Sequence, residues 1–274
     1  MTSQPAEYLL AHAPNEVERL RFWGRVWEPA AEAMLDAIEV QRGWHCCDLG
    51  CGPFGILGAL SRRVGPTGRV VGVDLNPAQV TAAQQFATDS GFTSIEVVQG
   101  DAYQTGLPDQ AFDLVHARFI FAPLGRDEAL LREMLRLTRP GGVIAIEEPD
   151  EAGYQAYPSH PAWDRLKALT IEAFSRGGGD YNAGRRMYSL LRDAGLDAVD
   201  ARAAVLALPA GHRYRLWPLE STTAVRPRMI EWGLTTAAEL DAVMGECERI
   251  ANDPQVFLTS FMVTQVWGRK PANS

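Results

Sequence analysis

The sequence predicts an α/β fold: a mostly parallel, seven-stranded sheet with helices on both faces. Three observations predict it. From about residue 42 onward, short apolar runs alternate with helical segments; the runs are apolar at nearly every position; and glycines crowd directly after the first of them. Strand–helix alternation implies parallel pairing, because a crossover must return the chain to the start of the next strand. Continuously apolar strands imply a sheet buried on both sides.

The elements follow in order. Residues 15–40 place aromatic and aliphatic residues at helical spacing, with Pro29 marking a break or a fresh helix start. WHCCDLG is a first strand, and GILGALSRRVG a helix closed by Gly65-Pro66. GRVVGVDL is a second strand. The helix NPAQVTAAQQFATDSG follows, with Asn76 as cap, Pro77 in its first turn and Gly91 beyond its end. SIEVVQGD and AFDLVHARF are strands; RDEALLREMLRLTRPGG is an amphipathic helix with a Pro-Gly-Gly stop; GVIAIEEPD is the fifth strand. Past Asp150 the rhythm changes. One helix (PAWDRLKALTIEAFSR) runs into Gly177-Gly178-Gly179, MYSLLRDAGL resumes a helix, and DAVDARAAVLAL reads as a strand. Residues 209–252 hold a loop and then helices, and FLTSFMVTQVWGRK is a final strand.

This organisation predicts one domain over residues 1–274. A helical cap covers 1–40 and a ligand-binding core 41–150. Insertions that close over a substrate span 151–182 and 207–252, and the rest of the sheet comes from 183–206 and 253–274.

Composition excludes several classes. The formal net charge is −8, and no basic run exceeds two residues, whereas a binder of phosphate backbones carries a basic face. Nucleic acid is therefore not an expected partner. No apolar run is long enough to span a bilayer, and the start MTSQPAEYLL lacks the pattern of a targeting segment; the cytoplasm is the expected compartment and a membrane is not. Cys46, Cys47, Cys51 and Cys247 have neither disulfide-framework nor zinc-site spacing, so no metal is expected. The oligomeric state is left open, a homodimer included.

The chemistry concentrates in CDLGCGPFG, Cys47 to Gly55. Gly50, Gly52 and Gly55 follow a strand and precede a helix. Without Cβ atoms they turn sharply and let a ligand approach backbone amides near a positive helix end. In an open parallel sheet, ligands bind beyond the carboxyl ends of the strands. Asp74 lies 24 positions after Gly50, at the end of the next strand, where a carboxylate can accept from both hydroxyls of a ribose. Nicotinamide or flavin dehydrogenases and S-adenosylmethionine-dependent methyltransferases share this arrangement.

The residues separate them. DLGCGPFG, VVGVDLNP, QGDAYQTGLPDQAFDLVHARF and LRLTRPGGVIAIEE, in that order over about residues 42–150, closely resemble the class I S-adenosylmethionine-dependent methyltransferases. The resemblance implies a Rossmann-like, doubly wound sheet with S-adenosylmethionine as cofactor. It implies that Asp48 holds the cofactor's amino group, that Gly50, Cys51 and Gly52 line its methionyl part, and that Asp74 grips the ribose. Gly55 and Gly100 shape the same loops. Leu75 packs on the adenine, Asp101 accepts from its amine, Ala102 donates a backbone amide to it, and Arg118 sits near the methionyl end. Pro53 and Phe54 depart from the small or hydroxylated residues the family often has there. The methyl would leave a sulfonium by in-line displacement, with proximity and alignment supplying much of the catalysis; a base is needed only if the acceptor must lose a proton. The insertions and the N-terminal aromatics point to a small organic acceptor, planar or polycyclic, phenolic or indolic, of a natural-product type.

Blander readings stand beside these. Asp48 and Asp101 are also turn formers, and Asp113 organises a strand start. Glu148, His116 and Tyr8 are the candidate catalytic residues, His116 as a base; Glu147 and Asp150 are further candidates for contact with the acceptor, and Tyr8 also for the wall of its pocket. But His116 inside an apolar strand suits a core histidine, and alternation sends Glu147 and Glu148 to opposite sides, so at most one faces the acceptor. His12, Phe22, Trp23 and Trp27, with Arg185, Arg186, His212, Tyr214 and Trp217, are either packing or pocket wall. The competing functions are a nicotinamide-dependent oxidoreductase, for which no Tyr-x-x-x-Lys set is present, and a non-catalytic cofactor-binding module.

Overall fold

A computed structural model describes residues 16–272. A seven-stranded sheet forms its centre, in the order β3-β2-β1-β4-β5-β10-β7. The strands are β1 (His45–Leu49), β2 (Arg69–Asp74), β3 (Ile95–Gln99), β4 (Phe112–Arg118), β5 (Thr138–Asp150), β7 (Asp197–Ala204) and β10 (Met262–Arg269). Pairings from β3 through β5 are parallel, and β10 runs antiparallel to both its neighbours. The sheet is thus mostly parallel and doubly wound, as expected. Its order reverses between β1 and β4, which is where a ligand crevice opens in such sheets.

Alternation along the central strands builds the two cores. Cys47, Val71, Val115, Ile144 and Ile146 point to one face. There they meet α5 (Asp127–Leu137) and α7 (Gly184–Asp193) through Leu130, Met134, Met187 and Leu191. Cys46, Val70, Leu114, Val143 and Ala145 point to the other. They pack under α1 (Glu16–Ile38), α2 (Leu57–Val64) and α3 (Pro77–Asp89) through Met34, Leu35, Leu57, Leu60 and Val80. The two cysteines of the first strand therefore serve as small apolar residues on opposite faces.

Two expectations are corrected. Pro29 neither breaks nor restarts the helix: α1 runs unbroken through it. Both Arg25, whose carbonyl loses its partner, and Pro29 are exposed, on the solvent side of the helix. Burial of Trp27, Ala31, Met34 and Leu35 along one face outweighs a cost of about 3 kcal/mol. Second, the two late runs read as single strands each divide between sheets. The first becomes β7 and β8 (Ala207–Leu208), and the second β9 (Phe257–Thr259) and β10. β8 and β9 join β6 (Ala156–Tyr157) in a small antiparallel sheet. The corner is pinned at Ser260, whose amide donates to the Leu206 carbonyl (3.0 Å) and whose hydroxyl accepts from the Leu206 amide (2.9 Å).

The small sheet, with α6 (Pro161–Arg176), α8 (Trp217–Glu231) and α9 (Ala237–Asn252), encloses a third apolar cluster rich in aromatic rings. A short helix, α4 (Phe121–Leu124), follows β4. No described helix is long and apolar enough to cross a membrane.

Candidate active site

The carboxyl ends of β1, β2 and β4, with the loop after β3, open into a cavity of about 520 Å³, within the range of small-molecule sites. All eleven residues expected around a cofactor line it: Asp48, Gly50, Cys51, Gly52, Gly55, Asp74, Leu75, Gly100, Asp101, Ala102 and Arg118. The resemblance also left Pro53 in question, and it too forms part of the wall.

The glycine loop divides its labour. Gly52 and Gly55 both hold positive φ, at 54° and 50°. A Cβ on Gly52 would meet no atom within 4 Å, so that position faces open space. A Cβ on Gly55 would come within 2.2 Å of Asp48 Oδ2 and 2.8 Å of the Cys51 carbonyl. One glycine keeps the cavity clear; the other lets the loop close on the buried carboxylate beneath it.

Asp74 ties the loop to the second strand. Its Oδ2 accepts from the Gly52 amide (2.8 Å) and its Oδ1 from the Asn76 amide (2.9 Å). Burial raises its pKa against the lowering effect of those two amides. Each oxygen retains lone-pair capacity, so the carboxylate can accept two further donors side by side. Next to it, Leu75 leaves 67% of its surface exposed, an apolar side chain positioned to cover a flat ring. Asp101 Oδ1 accepts from the Tyr103 amide (2.9 Å) and so forms the turn its bland reading foresaw, while still lining the cavity. Arg118 donates to the Gly55 carbonyl (2.9 Å); its Nη1 is buried without a hydrogen-bond partner.

Asp48 lies beneath the loop, bound to the Ile56 amide (3.1 Å) and to His116 Nδ1 (2.7 Å). His116 Nε2 lies 3.1 Å from Glu147 Oε1. Gln265 donates to Glu147 Oε2 (2.7 Å) and to the Ala30 carbonyl (2.9 Å). Burial alone would push the imidazole's pKa down, but hydrogen bonds and charge from Asp48 and then Glu147 outweigh it and hold the value up at about 9. Burial pushes Glu147 up, and His116 and the Arg118 charge more than reverse that.

Several candidates named from the sequence lie elsewhere. His116 is fully buried and absent from the cavity wall, so its geometry is that of a core histidine rather than a base facing an acceptor. Glu148 is also fully buried and absent from the wall. It accepts from the Ile120, Phe121 and Ala122 amides at 2.7, 2.8 and 3.0 Å, pinning the start of α4. Burial raises its carboxyl to about 8 against those three donors. The two glutamates do take opposite sides of β5, but neither reaches the cavity. Arg185 pairs with Asp150 at 2.6 Å and Arg186 with Asp127 at 2.8 Å. His212 Nδ1 accepts from the Tyr214 amide at the start of a 3-10 turn, Arg213–Leu216. Asp113 accepts from the His45 amide (2.7 Å) and Arg139 (2.5 Å), holding two strand starts together. Tyr8 and His12 lie outside the described residues.

Other wall residues were missed. Glu16, Leu20 and Gly24 come from α1; Tyr103 and Arg126 stack as cation and ring at 4.0 Å; Ile120, Pro123 and Leu124 come from the turn after β4. Phe119 holds a φ of 58°, a region that bulky side chains rarely occupy. Its amide donates to the Glu147 carbonyl (2.9 Å), which fixes that turn. The motif departure at Phe54 also finds its reason: the ring is buried against Phe86, centroids 4.8 Å apart, directly under Gly24 of α1. Among the described residues, no group of three His, Cys, Asp or Glu side chains is arranged to hold a metal.

This fold and this site define the class: S-adenosylmethionine-dependent methyltransferases of the class I type. The methyltransferase-domain family matches residues 41–195, more than half of the chain, and the chain belongs to it. A demethylmenaquinone methyltransferase of Geobacillus sp. (strain WCH70) is 26% identical, with 66% of this chain and 84% of the relative aligned. The nocamycin O-methyltransferase of Saccharothrix syringae is 32% identical over 45% of this chain and 44% of its own length. The crystal structure of a SAM-dependent methyltransferase from Aquifex aeolicus superposes with a TM-score of 0.52 at 21% identity, covering 72% of this chain and 93% of that one. None of these findings favours an oxidoreductase or a non-catalytic module.

Proposed function

We propose that the 520 Å³ cavity seats S-adenosylmethionine and that the chain transfers its methyl group to a planar small-molecule acceptor, phenolic or indolic in character. Bound, the cofactor supplies a methyl group on a positively charged sulfonium. The residues fit it. The two oxygens of Asp74 take the ribose hydroxyls, Leu75 covers the adenine, and Asp101 accepts from its amine. Gly52 leaves room for the methionyl part, and Asp48 and Arg118 border that end. His116 and Glu148 act as positioning residues: the first orients Asp48, the second fixes the turn that carries Phe119 and Ile120.

The observation that carries the acceptor reading is the cavity's inner wall. Trp23 and Phe119 line the cavity and also belong to the aromatic cluster behind it. Phe119 meets Phe261 edge-on at 5.8 Å, and Trp23 meets Tyr214 edge-on at 5.8 Å. A chamber that ends on rings favours a flat acceptor by stacking and apolar burial. The described part of the cap, α1, and residues of the insertions 151–182 and 207–252 pack together in the aromatic cluster behind this end. Small organic acceptors in the names of the two relatives support the size class.

The test is calorimetry with S-adenosylhomocysteine, followed by methyl transfer to a panel of hydroxylated and indolic polycycles. Binding of the cofactor product together with turnover of one such class supports the reading. Binding with transfer only to aliphatic amines or thiols overturns the acceptor class, and no binding overturns the whole.

A further inference from the structure

Behind the inner wall lies a group of hydrogen-bond donors without acceptors. Arg19 of α1 is buried, 7% exposed. Among the described residues, its Nε, Nη1 and Nη2 have no hydrogen-bond partner, and the one carboxylate near it, on Glu16, stands at an ion-pair distance of 3.6 Å. Its guanidinium lies over the Trp23 ring, 4.7 Å from the centroid. Trp23 in turn meets Trp217 edge-on at 6.4 Å. The indole nitrogens of Trp23 and Trp217 are both buried and both without partners.

Arginine and tryptophan side chains donate and cannot accept, so these three cannot satisfy one another. Unmet buried donors are costly; Glu16 offsets the guanidinium charge at ion-pair distance, and a group that brings acceptors satisfies the N–H groups still unbonded. A carboxylate brings the most, and its bonds to a guanidinium are charge-assisted and can be bidentate. Trp23 joins this group to the reaction cavity: it lines the cavity wall, carries the Arg19 guanidinium over its ring and meets Trp217.

We propose that Arg19, with the indole N–H groups of Trp23 and Trp217, receives the carboxylate of an aromatic acid acceptor. This rests on the methyltransferase reading and sharpens it: the acceptor is a planar ring system carrying an acidic group, held so that the ring lies on Trp23 and Phe119. Arg19 is a specificity residue that touches the acceptor and not the cofactor.

The experiment uses a matched pair of probes, 6-hydroxy-2-naphthoate and 6-hydroxy-2-naphthamide, titrated by calorimetry into the protein saturated with S-adenosylhomocysteine. The wild type is expected to bind the naphthoate at least about tenfold more tightly than the amide, a charge-assisted bond against a neutral one. Arg19→Met is expected to erase that preference and keep S-adenosylhomocysteine affinity within about twofold. Trp23→Phe, which keeps a ring and removes one N–H, is expected to narrow the preference as well, and serves if Arg19→Met does not fold. Equal binding of the two probes by the wild type, or a preference that survives in a folded Arg19 variant, overturns the proposal. Failure of the wild type to bind S-adenosylhomocysteine overturns the methyltransferase reading itself, and this inference with it.

Discussion

At Gly52 and Gly55 the same backbone conformation has opposite consequences for substitution. Alanine at either position is strained by the positive φ. At Gly52 that strain is nearly the whole effect, because the new methyl meets no protein atom; Gly52→Ala should cost about 1 kcal/mol of stability and weaken S-adenosylhomocysteine binding at least about tenfold by narrowing the cavity. At Gly55 the methyl collides with Asp48 and the Cys51 carbonyl, so Gly55→Ala adds an overpacking cost of about 1–3 kcal/mol. Denaturant melts and calorimetry on the pair separate the roles; equal stabilities would refute the division of labour. Asp74→Asn keeps an acceptor for one loop amide and removes the charge. It should lower S-adenosylhomocysteine affinity by about 1–3 kcal/mol, and unchanged calorimetric affinity would rule out the ribose assignment. Glu148 gives the residue-scale lesson in reverse. Its place at a strand end, where acceptor contacts sit in such sheets, made it a candidate. Only the fold shows that three amides of the next turn already claim it.

α1 is the element on which the site depends most. It supplies Glu16, Leu20, Trp23 and Gly24 to the cavity and Arg19 behind it. Its anchors include Phe54 under Gly24, the Trp27 indole donating to the Tyr214 hydroxyl at 2.9 Å, Gln265 donating to the Ala30 carbonyl at 2.9 Å, and Arg62 reaching Glu28 at 2.7 Å and Glu32 at 2.6 Å. The ion pairs are partly exposed and contribute little. The aromatic contacts dominate. Phe54→Ala removes a buried ring and should cost about 3–5 kcal/mol. Because the ring contacts α1 directly, the variant should also lose proteolytic protection in residues 16–38 ahead of the sheet. Digestion followed by mass spectrometry checks this; α1 and sheet released together would mean that Phe54 supports the core and not the helix. Strand ends are the other element-scale feature. β7/β8 and β9/β10 each read as one apolar run, since period-2 patterning continues through a corner that only long-range pairing reveals.

Across the whole molecule, one buried polar chain joins the layers: Asp48 on β1, His116 on β4, Glu147 on β5, Gln265 on β10 and the Ala30 carbonyl on α1. It ties the helix that walls the cavity to the strands that flank the glycine loop. His116 titrates at about 9 against an ordinary 6.5. Its contribution is therefore fully present below about pH 6.5 and is lost as pH rises through 9. The raised Glu148 acts with the same sign between about 4.5 and 8. Thermal melts should thus show stability falling from pH 6.5 to 9, by on the order of 3 kcal/mol for the histidine. Between pH 8 and 9 the remaining slope belongs to His116 together with the buried cysteines, whose thiols burial raises from an ordinary 9.0, so His116→Asn should reduce the slope without abolishing it. A wild-type stability that is flat or rising over that interval would contradict the charged imidazole.

The sequence by itself determined the class of this protein: the strand–helix alternation, the doubly covered sheet, the glycine loop and Asp74 at the next strand end are local patterns that need no partner to be read. Every residue expected around the cofactor lines the cavity because those residues lie at strand ends, and strand ends in a parallel sheet converge by topology alone. The tertiary structure decided what faces that cavity from elsewhere. Arg19, Trp23 and Trp217 come together from helices about 200 residues apart, and His116 and Glu148 turn away from it. Which side chains meet across such distances depends on packing and burial between elements, and no periodicity within one element encodes that.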